Sequence, residues 1–76
     1  MFARLPGVRA KEIIRALERA GFLIERHNST SHVLLRNPNS KRTTVVPIHS
    51  KELPRWLLKK IIRDAGVSED EFRSLI

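Results

Sequence analysis

Apolar positions recur at helical spacing from Ala10 to Ala20, where Ile13, Ile14 and Leu17 form a stripe extended by the two alanines. Charged residues fill the other positions, with Glu12 three residues before Arg15. Gly21 supplies the left-handed residue that ends such a helix. The period then changes. Phe22 to His27 alternates as a strand, with Phe22 and Ile24 on one side and Leu23, Glu25 and His27 on the other. Residues 28–31, Asn-Ser-Thr-Ser, form a polar turn, and Val33 to Asn37 is the return strand of a hairpin. Pro38 to Arg42 is a second turn. Thr43 to Ile48 is a third strand, β-branched at every position except Pro47. A proline cannot donate to a ladder, so this strand lies at a sheet edge or ends near Pro47.

Residues 49–53 link to a second helix, with Pro54 in its first turn. Leu57, Leu58, Ile61, Ile62 and Ala65 form its apolar stripe, Arg55, Lys59, Lys60 and Arg63 point outward, and Gly66 closes it. Ser68 to Glu71 matches a capping box and opens a short helix over 69–75, from which Phe72, Leu75 and Ile76 fold back onto the core. The order α-β-β-β-α plus a short helix predicts an α+β domain. Its three-stranded antiparallel sheet carries helices on one face and leaves the other open.

Composition narrows the function. The 76 residues make one domain, 1–76, which buries only about 60% of the surface its unfolded chain exposes. A surface site is therefore expected rather than a deep pocket. There is no cysteine, no long apolar run and no signal-peptide pattern at the N-terminus, so a cytoplasmic protein without a membrane partner is expected. Net charge is +7, unevenly spread: residues 1–63 carry +10 and residues 64–76 carry −3. A basic body favours a polyanionic partner.

The segment Thr30 to Arg36 carries the candidate chemistry. Alternation puts His32, Leu34 and Arg36 on one face, and Val33 and Leu35 on the other. If the latter two are buried, the imidazole and guanidinium stand on the open side. With a turn over residues 28–31, His27 would oppose His32 and serve as a second proton carrier, or else be an ordinary exposed strand end. His49 is read as ordering the strand-to-helix link. Arg36, Lys41, Arg42, Lys51, Arg55, Lys59 and Lys60 are candidate phosphate contacts, the last four at or after the start of the second helix. Trp56 is expected to pack partly on the core, with docking on a partner as the alternative. No cysteine, His-x-x-x-His spacing or glycine-rich loop suggests a metal or cofactor.

The chain resembles the HicA, or YcfA-like, family of toxins over nearly its whole length. The resemblance rests on Lys11-Glu12-Ile13-Ile14 to Leu17, Ala20-Gly21-Phe22, Ser31-His32, Val46-Pro47 with His49, Lys51-Glu52-Leu53, and Ile61 to Gly66. It implies a fold similar to a double-stranded-RNA-binding domain. It also implies ribonuclease activity on messenger RNA, a HicB-like antitoxin forming a hetero-oligomer with the toxin, and a catalytic histidine at His32. Thr30 stands where the family usually has glycine, Val33 where many members carry a second histidine, and Trp56 where glycine is common. A non-catalytic RNA-binding module and a protein-interaction domain remain the alternatives.

Overall fold

Helix α1 (Ala10–Arg19) starts where the Glu12 carboxylate accepts the Arg9 backbone N–H at 3.0 Å. Glu12 thus satisfies a donor that the helix itself leaves unpaired. The helix ends where Gly21 turns to φ +101°. There Phe22 N–H reaches the Leu17 carbonyl and Gly21 N–H the Glu18 carbonyl, the reversed bonds of a Schellman turn. The turn delivers Phe22, 1% exposed, straight into the core. The computed structural model describes residues 7–28, 31–48 and 51–76, and the side chains of 26–28 lie outside that description.

Strands β1 (Leu23–Asn28), β2 (His32–Arg36) and β3 (Thr43–Pro47) form one antiparallel sheet in the order β1-β2-β3. The expected domain class is therefore observed, with strand boundaries displaced by about a residue. Val33, Leu35, Thr44 and Val46 are buried on the inner face. The Thr44 hydroxyl donates to the Ile61 carbonyl at 2.9 Å, giving its buried oxygen a partner and tying the sheet to the following helix. Ile48 N–H bonds to the Ser31 carbonyl. Alternation then turns the backbone nitrogen of Pro47 toward the free edge of β3, so the proline costs no ladder bond.

The hairpin departs from the sequence expectation. Ile24 pairs with Leu35, but the next pair is Arg26 with Leu34, and Glu25 is an extra residue in a β-bulge. Every later pair is displaced by one. His27 lies opposite Val33 and Asn28 opposite His32. The proposed His27–His32 pairing is thus incorrect, because the bulge reverses which β1 positions share a face with His32.

Helix α2 (Arg55–Ala65) follows Pro54, whose carbonyl accepts from Leu57 and Leu58. Gly66 ends it at φ +74° with the same pair of reversed bonds. Helix α3 (Glu69–Leu75) is capped by the Ser68 hydroxyl, which accepts Glu71 N–H at 3.0 Å. Its Phe72 is fully buried and Leu75 packs at the core margin, whereas Ile76 remains 41% exposed, contrary to expectation. Arg19 donates to the Leu75 carbonyl, joining α1 to the end of α3.

Candidate active site

The apolar inner positions of β2 determine where His32 stands. Val33 and Leu35 are 1% and 0% exposed, so His32, Leu34 and Arg36 occupy the face away from the helices. His32 is exposed, and the Ser31 hydroxyl lies 3.1 Å from its Nδ1. With Nδ1 engaged, Nε2 is the ring nitrogen left to exchange a proton with a ligand above the sheet.

Cross-strand register builds the rest of this face. Asn28, His32 and Pro47 form one row, Arg26, Leu34 and Val45 the next, and Leu23, Arg36 and Thr43 the third. Val45 is 45% exposed in the row next to His32, so apolar area adjoins the imidazole, while Leu23, 62% exposed, lies in the far row with Arg36. Arg36 is half-buried at the opposite end of β2. Four residues of strand separate it from His32 by about 13 Å, too far for both to grip one phosphate.

Helix α2 runs back along β3. Its Ile61 meets Thr44, and the Arg42 side chain lies against Gly66. The first turn of α2 therefore lies at the Pro47 end of β3, which is also the His32 end of β2. Of the predicted cations, Arg55 accordingly falls toward the His32 end. Lys41 and Arg42 belong to the turn at the far end. Lys41 holds a left-handed φ of +63°, and Arg42 covers the C-terminus of α2. Lys59 and Lys60 lie on the outer side of α2, facing Glu69 at 3.9 Å and Asp64 at 3.0 Å. Lys51 is exposed on the link into α2. The seven cations are thus distributed around the molecule rather than gathered at His32.

Among the described residues, no three His, Asp or Glu side chains gather as metal ligands, and no helix is long and apolar enough to cross a membrane. Thr30, His49 and the first six residues lie outside the described residues, as does the side chain of His27. Two features escaped the sequence reading. Ser31 looks like an ordinary turn serine, yet its hydroxyl holds the imidazole. Trp56 was expected to lean on the core, but it is 68% exposed because helical phase turns position 56 away from Leu58, Ile61, Ile62 and Ala65.

An open antiparallel sheet backed by two principal helices in the order α-β-β-β-α is the architecture of double-stranded-RNA-binding domains. The family model described as the HicA toxin of bacterial toxin-antitoxin systems matches residues 10–67, so the chain belongs to the HicA toxin family. No curated protein sequence matches it.

Proposed function

We propose that this toxin is an endoribonuclease that cuts messenger RNA without a metal, with His32 as its acid–base group. The observation that carries the reading is the exposed His32 ring on the open sheet face, held at Nδ1 by Ser31. RNA contains its own nucleophile, so the chemistry asks little of a small surface site. The ribose 2′-hydroxyl loses its proton and bonds to phosphorus, the bond from phosphorus to the 5′-oxygen breaks, and that oxygen gains a proton. The products are a 2′,3′-cyclic phosphate and a 5′-hydroxyl. A histidine side chain can take or give a proton and so suits either proton step, typically contributing about 10²–10⁴-fold.

Arg36 holds a neighbouring phosphate, and Lys51 and Arg55 attract the backbone from the His32 end. Lys41, Arg42, Lys59 and Lys60 add longer-range attraction. The same face suits the antitoxin. Leu34 and Val45 offer apolar area on the His32 side of this face and Leu23 extends it toward Arg36, so a HicB-like partner seated there hides the imidazole from RNA. Catalysis and protein docking thereby share one surface in a cytoplasmic toxin–antitoxin pair.

The test is purified wild type and His32→Ala on an RNA oligonucleotide, with product ends analysed by mass spectrometry. Cyclic-phosphate ends from wild type alone support the reading. Equal cleavage by the variant, or cleavage of an all-deoxy strand, overturns it.

A further inference from the structure

Helix α2 places Trp56, Lys59, Lys60 and Arg63 at successive i, i+3, i+4 and i+7 positions, within about 100° of arc. The buried residues Leu58, Ile61, Ile62 and Ala65 occupy the opposite side. This stripe consequently lies opposite the buried side of α2, with Lys60 on the flank nearest β3. It borders an open groove of about 590 Å³ between α2 and α3, with Val67 and Glu69 along the far wall. Trp56, at 68% exposed, is one of the residues that line that groove. Ile62 and Val67 are only 2% and 8% exposed, so Trp56 is the one large apolar side chain open to solvent along the groove. A flat, exposed aromatic ring beside three cations suits a base and its flanking phosphates.

We propose that this groove is a second RNA site, which takes an unpaired stretch of the strand by stacking one base on Trp56 while Lys59, Lys60 and Arg63 meet the flanking phosphates. The proposal rests on the nuclease reading only in taking RNA as the ligand. Lys59 and Lys60 are held by exposed carboxylates, at 3.9 Å by Glu69 and 3.0 Å by Asp64. Exposed pairs of this kind are weak and exchange readily for a polyanion. A duplex hides its base faces within the stack and cannot use the indole, so the site selects single strands. Its place on the helix layer, outside the open sheet face that carries His32, makes it an anchor for substrate outside the scissile bond.

Trp56 is the single tryptophan of the chain, so its fluorescence reports directly on stacking. The full-length protein is titrated with a short 2′-O-methyl oligoadenylate, which lacks the nucleophile for cleavage. Saturable quenching is expected, and it persists in His32→Ala. By anisotropy of a labelled oligonucleotide, Trp56→Ala weakens binding about 5- to 150-fold, the range for loss of one base–aromatic stack. Trp56→Phe restores most of that loss, and Lys59→Glu with Arg63→Glu removes the quenching. Circular dichroism verifies that each variant folds, and quenching of the wild type decides the matter if one does not.

Three results overturn the proposal: oligonucleotide binding without quenching, equal affinity of folded Trp56→Ala, or equal quenching by an RNA duplex or by polyglutamate. RNA cleavage with a silent Trp56 removes this site and leaves the nuclease. Quenching without any cleavage removes the nuclease and leaves this site.

Discussion

Replacing Phe72 by alanine should cost this fold a large share of its stability, although the residue lies beyond the 10–67 segment that matches the family. Phe72 is 0% exposed and is the fully buried residue of α3. A buried Phe→Ala change removes about 3–5 kcal/mol, combining lost transfer energy with the cavity left behind. A chain of 76 residues is held by about 4–11 kcal/mol in all, scaling from typical values per residue. The variant should therefore lose from about a quarter to all of its stability, and populate unfolded chain measurably at 37 °C if the wild type sits low in that range. Seven residues are also too few to stay helical unaided. Without the phenyl anchor α3 should detach from α1 and α2 and expose the part of the core it covers. The assay is urea denaturation followed by far-ultraviolet circular dichroism, because the exposed Trp56 is a poor reporter of core packing. A loss under about 1 kcal/mol would refute the view that α3 completes the core. Truncation after Val67 should be worse still, since it removes Leu75 as well.

Ser31→Ala should lower the cleavage rate about 2- to 12-fold, equivalent to one hydrogen bond of about 0.5–1.5 kcal/mol, with an unchanged melting temperature. Deleting Glu25 should change stability by less than about 1 kcal/mol, because a regular ladder then preserves every observed pair; a large loss by urea melt would mean the bulge is misplaced. RNA affinity should fall with salt at a slope of about −0.7 per phosphate contacted, and Arg36→Ala should reduce that slope by about one such unit; a flat salt curve would remove the electrostatic account.

Most of the architecture was legible because each element is signalled twice. Helices α1 and α2 carry an apolar stripe and a glycine stop, and both glycines adopt the left-handed conformation expected. The capping serine at 68 and the edge proline at 47 behave as their chemistry requires. The bulge at Glu25 was not legible. A residue that is polar and exposed fits either an outward ladder position or an inserted one, and β1 carries no glycine to mark the irregularity. That single residue decides whether His27 or Asn28 faces His32. Ser31 escaped notice for a related reason, because a turn serine and a serine bonded to the next side chain look alike in sequence. The exposure of His32 was legible, since two apolar neighbours at alternate positions leave it only one face. The exposure of Trp56 was less so: the helical phase pointed outward, but residue type argued for burial.

The central claim is that the imidazole on the open face of the sheet moves the protons in RNA scission. It is tested most directly by inducing wild type and His32→Ala in bacteria at matched protein levels and following messenger RNA integrity. The account predicts rapid messenger loss and growth arrest with the wild type, and intact messages with a folded, stable variant. Equal degradation by both proteins would contradict it.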